Sequence, residues 1–180
     1  MIAGGHRISQ ILDDIRNLFG TTESVSGPVN MNDLALEALR TLDGELKNHN
    51  IVTRAHLKPE LPPVVGHSGQ LQQVIVNLIQ NAIDAMDSVE SDRRVLQLRT
   101  EHNGGDAISI TIEDTGPGID PKKSDDIFGA FFTTKPHGTG LGLAICRMIV
   151  DRHGGELSVT SADPHGAVFR IKLPQMKPSH

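Results

Sequence analysis

Two stretches of two-residue alternation, each folded back across a short polar turn, constrain this chain most. Residues 95–101 and 107–114 place apolar side chains at alternate positions on either side of Asn103-Gly104-Gly105-Asp106, and residues 156–161 and 167–173 do the same around 163–166. A period of two is that of a half-buried strand, and turn formers between two such runs make an antiparallel hairpin. The remaining apolar residues recur at helical spacing. Leu71, Val74, Ile75, Leu78, Ala82 and Ala85 line one side of a helix over 68–86, and Leu141, Ala144, Ile145, Met148 and Ile149 line another over 141–153. A helix capped by Asn30 or Asn32 runs through Leu34, Ala35, Ala38, Leu39 and Leu42, and a strand over 51–57 leads into a turn at Pro59, Pro62 and Pro63. Helices interleaved with antiparallel hairpins predict an α+β class, a two-layer sandwich, rather than a parallel βαβ sheet.

The N-terminal end is organised differently. Ile8, Ile11, Leu12, Ile15, Leu18 and Phe19 make residues 8–19 an amphipathic helix, and a Gly, Ser and Thr-rich stretch then breaks the pattern. The expected division is a helical segment over 1–20, a linker over 21–29, the main domain over 30–176 and a tail over 177–180.

Composition narrows the function. A chain of 180 residues with 37% hydrophobic content can bury one core, and with no Trp or Tyr that core is aliphatic. A net charge of −5 and only five Phe as aromatics argue against a nucleic-acid partner, by either phosphate attraction or base stacking. The single cysteine, Cys146, excludes an internal disulfide or a cysteine-cluster metal site and is expected to be a packing residue. The nine histidines have no ligand-like spacing. No run approaches the roughly 20 apolar residues of a membrane span, so no membrane contact is expected of this stretch. The expected location is the cytoplasm, any anchor of a parent protein lying elsewhere.

Three features carry chemistry. On the 68–86 helix, Gln70, Gln73, Asn77, Asn81 and Asp84 fall along one stripe, apart from the apolar side. A solvated face is one reading. Mid-helix asparagine costs helix stability, however, and amide and carboxylate oxygens suit Mg²⁺, so a metal-ligating stripe is the other. Asp114 shares the inward face with Ile108, Ile110 and Ile112, where a carboxylate needs a donor. It either caps Gly116 in an Asx turn or accepts from a ligand amine such as that of adenine, with Gly116, Pro117 and Gly118 bending the chain close by. The run Gly138-Thr139-Gly140-Leu141-Gly142 precedes a helix N-terminus, which suits a phosphate, and its glycines also suit a lid hinge. No Gly-Lys-Ser/Thr follows, so this is not a P-loop.

In order, NLIQNAIDAM from Asn77, DTGPGID from Asp114, FGAFFTTK from Phe128 and GTGLGLAI from Gly138 resemble the N, G1, F and G2 boxes of histidine kinase catalytic domains in the GHKL ATPase superfamily. The resemblance covers residues 31–175. It implies the Bergerat fold, a mixed and mainly antiparallel sheet backed by helices, with ATP beneath a lid. It implies that Asn81 ligates Mg²⁺ with Asn77 assisting and Asp84 nearby, and that Asp114 reads the adenine amine between Gly116, Gly118 and Ile119. Thr134, Lys135, Gly138, Thr139, Gly140, Leu141 and Gly142 would contact or cover the phosphates, and Phe128, Phe131 and Phe132 would dock the lid, with ordinary core packing an equal reading for Phe128. Asn77, Asn81 and Lys135 would be the catalytic set.

Gyrase-like, MutL-like and chaperone relatives carry a Glu as the water-activating base where this chain has Asn77. An amide accepts no proton at neutral pH, which disfavours hydrolysis and favours phosphoryl transfer. The resemblance therefore implies ATP and Mg²⁺ as cofactors. The implied partners are a dimerisation domain bearing the acceptor histidine, a response regulator receiver domain, and a second copy in a full-length homodimer. Residues 1–20 resemble the second helix of the dimerisation hairpin. His6 is followed by Arg7 rather than an acidic residue, so it is read as an ordinary exposed residue and the fragment as unable to phosphorylate itself. A hydrolysing ATPase, an anti-sigma-type serine kinase, and a domain that binds ATP only to mediate partner contacts are the alternatives.

Overall fold

The computed structural model describes residues 25–102, 104–135 and 138–177, together with Leu12. The expected helix over 8–19 and its His6 lie outside the described residues, Leu12 apart, and so does most of the linker. Strand β1 (Gly27–Val29) falls inside the stretch assigned to the linker: it pairs antiparallel with β3 (Val64–Gly66), so the main domain's hydrogen bonding starts at least three residues earlier than composition suggested. Polarity marked the linker, but backbone pairing of a three-residue strand leaves almost no trace in side-chain pattern.

Helix α1 (Met31–Thr41) starts where Asn30, in extended geometry, accepts on Oδ1 from the backbone N–H groups of Asn32 at 3.0 Å and Asp33 at 3.4 Å. Replacing Asn30 with Ala is expected to cost about 1 kcal/mol, lowering Tm by about 2–4 °C, with Asn30→Ser close to wild type; thermal denaturation followed by circular dichroism reads the difference. A short helix α2 (Asp43–Asn48), which the periodicity did not separate from α1, precedes β2 (Val52–His56). Helix α3 (Ser68–Met86) buries Leu71, Val74, Ile75, Leu78, Ile79, Ala82, Ile83 and Met86. The hairpin β4 (Val95–His102) and β5 (Ala107–Asp114) comes next, then two single 3₁₀ turns, α4 (Gly142–Arg152), and the hairpin β6 (Glu156–Ser161) and β7 (Ala167–Pro174).

The five-stranded sheet has the order β2-β4-β5-β7-β6, in which β2 runs parallel to β4 and every other pairing is antiparallel. The sheet is therefore mixed and mainly antiparallel. Its inner face is the one alternation predicted: Leu96 and Leu98, Ile108, Ile110 and Ile112, Phe169, Ile171 and Leu173, and Leu157 and Val159 are all buried. In register, Leu98 faces Ile112, which faces Phe169, which faces Val159, so one layer of side chains crosses four strands. Helices α1 and α4 both pack on α3, α3 packs on β4 and β5, and α4 on β6. The helical layer thus lies on one face of the sheet, with α3 at its centre.

Thr100, a buried polar residue on the sheet's inner face, is satisfied. Thr100 Oγ1 donates to Asn32 Oδ1 at 2.8 Å and accepts from the Lys58 N–H at 2.9 Å, while Asn32 Nδ2 donates to the Lys58 carbonyl at 2.9 Å. Those bonds offset the desolvation of the hydroxyl.

Candidate functional site

Helix α3 is apolar toward α1, α4 and the sheet, yet Asn77, Asn81 and Asp84 turn toward a cleft of about 1010 Å³. Across that cleft stand the end of β5, the chain from Pro117 to Asp120, the segment 132–135, and the glycine-rich stretch before α4. The part of the stripe from Asn77 to Asp84 is thus one wall of a cavity, while Gln70 and Gln73 lie outside it.

At one end Asp114 is only 2% exposed. Its Oδ1 accepts from the Gly116 N–H at 2.8 Å, the expected Asx turn, and from the Ala167 N–H at 3.3 Å. Both contacts go to one oxygen. Among the described residues no buried side-chain oxygen lacks a partner, so Oδ2, which has none, is the atom that opens on the cleft. The Asx turn and the ligand-facing carboxylate are therefore compatible: one oxygen folds the turn and the other is left for a donor. Burial pushes the Asp114 carboxyl above its ordinary 3.8, the two backbone donors pull it partly back, and neighbouring Glu113 adds a small upward push. The turn is held from behind by Thr115, whose hydroxyl donates to the Arg93 carbonyl at 2.7 Å and accepts from the Val95 N–H at 2.9 Å.

At the other end Lys135 reaches α3, its Nζ lying 3.2 Å from Asn81 Oδ1 and 2.5 Å from Asp84 Oδ2. The segment that carries it is braced by Thr133, whose hydroxyl accepts from the Lys135 N–H at 3.0 Å. Phe131 and Gly140 hold the two loops together: the Phe131 N–H donates to the Gly140 carbonyl at 2.9 Å, both residues have positive φ, 68° and 70°, and a Cβ at Gly140 would lie 2.5 Å from the Phe131 carbonyl carbon. Glycine is required there by space as well as by dihedral.

Of the residues singled out from sequence, Asn77, Asn81, Asp84, Asp114, Gly118, Ile119, Thr134, Lys135, Gly138, Thr139, Gly140 and Gly142 line this one cleft. Three do not. Gly116 lies behind Asp114, and a Cβ there would meet Asp114 Oδ1 and the Ala85 carbonyl rather than the cavity. Leu141 precedes α4 and packs against the core. Phe128, expected at the nucleotide or the lid, is a buried packing residue, edge-on to Phe169 at 6.4 Å and beneath the Arg147 guanidinium at 5.3 Å. Phe131, expected to dock the lid, is 74% exposed.

A sequence model of the family described as histidine kinase-, DNA gyrase B-, and HSP90-like ATPase matches residues 66–177, more than half of the chain and every wall of the cleft. This chain belongs to that ATPase family. Within it the relatives are sensor kinases. This chain is 36% identical to the sensor protein TdiS of Thauera aromatica over 82% of its length, and 32% identical to the sensor histidine kinase ZraS of Salmonella typhimurium over 93%. It spans only 27% and 35% of those two proteins. Among solved structures, the catalytic domain of the histidine kinase ThkA aligns with a TM-score of 0.75 at 31% identity, covering 84% of this chain and 96% of that one. The mycobacterial sensor histidine kinase MprB aligns at 0.74 with 29% identity, covering 86% and 100%. ThkA in complex with the response regulator protein TrrA has a TM-score of 0.77 at 24% identity, a likeness of fold alone. The fold of the ATPase domain is accordingly that of histidine kinase catalytic domains.

Sequence reasoning missed several walls of the ATPase cleft. Ala167 and Phe169 belong to β7 and enter from the far end of the chain, and Lys123 and Ile127 come from the 3₁₀ turns. None carries a local signal. Gly166, which does not itself line the cleft, was missed as well: at φ 121° it abuts the backbone of Asp114, where a Cβ would stand 1.8 Å from the carbonyl oxygen.

Proposed function

We propose that this ATPase-family chain binds Mg-ATP and donates the γ-phosphoryl group to a histidine carried by a separate dimerisation hairpin. The observation that carries the proposal is Asp114, buried at the end of β5 in register with Leu96 yet lining the cleft with one carboxylate oxygen left over from the turn. A carboxylate is kept in such a place at the expense of its hydration, and an exocyclic adenine amine is a donor of the right kind. From there the cleft runs to Gly138, Thr139, Gly140 and Gly142, at the N-terminus of α4, where backbone N–H groups and the helix dipole favour phosphates.

The donor set fits a magnesium ion. Asn81 and Asp84 offer hard oxygens that already gather round the Lys135 ammonium, and Mg²⁺ takes few protein ligands beside waters and phosphates. When bound it would neutralise charge on the phosphates, and Asn77 would orient them. Asn77 cannot accept a proton from water, so the chain's own contribution is positioning and charge stabilisation, and the nucleophile arrives from outside. The acceptor hairpin, a receiver domain that takes the phosphoryl group on, and dimerisation of the parent protein complete the proposed pathway. Among the described residues no helix is long and apolar enough to cross a membrane, and the proposed place of action is the cytoplasm, where ATP is found.

Mixing the chain with a separately made dimerisation hairpin and γ-labelled Mg-ATP is expected to label the hairpin on histidine, with inorganic phosphate released far more slowly than the label is transferred. Phosphate release without labelling would support a hydrolysing ATPase instead. Replacing Asn77 with Glu is expected to raise that release, by on the order of 100-fold if the carboxylate serves as base.

A further inference from the structure

Lys135 is tied to α3 by the same two side chains that the cleft offers to a metal. Its ammonium takes Asn81 Oδ1 at 3.2 Å and Asp84 Oδ2 at 2.5 Å, with the two charged side chains 42% and 36% exposed. The two acceptors stand three residues apart on one helix, so their oxygens emerge side by side. Asp84 is only lightly held otherwise, its Oδ1 accepting from Gln80 Nε2 at 3.4 Å. Two hard oxygens converging on one positive charge at the wall of an anion-binding cleft describe a cation position, and here the chain supplies its own cation.

We propose that Asp84 is a protein ligand of the divalent cation beside Asn81, and that the Lys135 ammonium is a tethered stand-in occupying that position until metal and nucleotide displace it. This rests on the Mg-ATP reading above and adds to it a ligand and an order of events. Ammonium and Mg²⁺ cannot share the position, because two cations a few ångströms apart repel and only one can be matched by the single carboxylate. Magnesium demands oxygens at about 2.0–2.1 Å. Asn81 and Asp84 project from the same helical face and already converge on one cation, and together they would hold the metal. Lys135, once expelled, lies on the short segment braced by the Thr133 hydroxyl and by the Gly138 N–H bond to its own carbonyl at 3.3 Å, which leaves its ammonium beside the phosphate-binding glycines. An empty site is thereby kept electrically balanced, and loading it moves a positive charge from the metal position onto the phosphates.

The test uses Mn²⁺ as the probe, titrated into the chain without nucleotide and followed by the electron paramagnetic resonance of the free ion. Lys135→Met is expected to bind Mn²⁺ roughly tenfold more tightly than wild type as the competing charge is removed, and Lys135→Met combined with Asp84→Asn is expected to lose that gain. Lys135→Gln gives the same neutralisation if methionine impairs folding. Equal Mn²⁺ affinity in wild type and both neutral variants would overturn the stand-in, and a gain that survives Asp84→Asn would overturn Asp84 as a ligand. Wild-type binding of a Mg-ATP analogue, measured in the same buffer, separates the two levels: its absence would overturn the nucleotide reading itself, whereas its presence without a Mn²⁺ gain would overturn only the roles of Lys135 and Asp84.

Discussion

Asp114→Asn is expected to lower affinity for an ATP analogue by on the order of 100-fold, the worth of a hydrogen bond to a charged acceptor that is both lost and opposed. The asparagine carbonyl oxygen can keep the bonds from the Gly116 and Ala167 N–H groups. The amide NH₂ is then left facing the cleft, donor against donor. The same substitution is expected to stabilise the ligand-free chain at neutral pH. Burial raises the Asp114 carboxyl above its ordinary 3.8. A group whose folded-state value lies above its unfolded one contributes stability in full below the unfolded value and loses it as pH rises through the folded value. At neutral pH the unfolded chain's carboxyl is free to ionise in water while the folded one is desolvated, a net cost that asparagine removes, and below the ordinary 3.8 the two chains should converge. Nucleotide binding has the complementary dependence. An amine donates to the ionised carboxylate, so binding releases a proton wherever the free carboxyl is protonated, and wild-type affinity should weaken as pH falls through the raised value. Thermal denaturation and calorimetry across pH read both effects; a less stable Asp114→Asn chain at pH 7 would contradict the account of Asp114 as an acceptor kept open for a ligand.

Gly166→Ala is expected to do the largest structural damage of any single methyl group in the domain. The added carbon would stand 1.8 Å from the Asp114 carbonyl oxygen, a backbone atom that β5 holds in its ladder, at a φ of 121° that L side chains rarely adopt. Neither the clash nor the dihedral can relax without opening the β6–β7 turn, where Gly166 accepts from the Ala162 N–H at 2.9 Å. A cost of about 3–5 kcal/mol corresponds to a fall in Tm on the order of 10 °C. The turn carries Ala167, whose N–H holds Asp114, so surviving folded protein should also bind nucleotide poorly. An alanine variant within 2 °C of wild type, a margin set by ordinary surface substitutions, would show that the turn moves freely against β5.

These two residues mark what was legible in the sequence. Asp114 was visible because strand alternation assigned it to a face where a carboxylate needs a reason, and the Asx turn and the open oxygen both follow from that placement. The inner sheet face from Leu96 to Leu173 and the helix over Ser68–Met86 were visible in the same way, as period-two and period-3.6 patterns. Gly166 was not, because its role is a contact between segments more than fifty residues apart and a turn glycine looks alike wherever it points. Strands β1 and β3 escaped because three residues are too few for a period. For Phe128 the motif position offered a lid role beside ordinary core packing, and its ring completes the core against Phe169 while Phe132 and Ile127 line the cleft. The Lys135 contact with Asn81 and Asp84 joins two motifs that sequence order had kept apart.

The most direct test of the nucleotide site is calorimetric titration of the folded chain with a non-hydrolysable ATP analogue, with and without Mg²⁺, beside Asn81→Ala. Saturable one-to-one binding that Mg²⁺ strengthens in wild type but not in Asn81→Ala is the expected result. No binding by wild-type chain whose thermal transition shows it to be folded would contradict the assignment of this cleft to Mg-ATP.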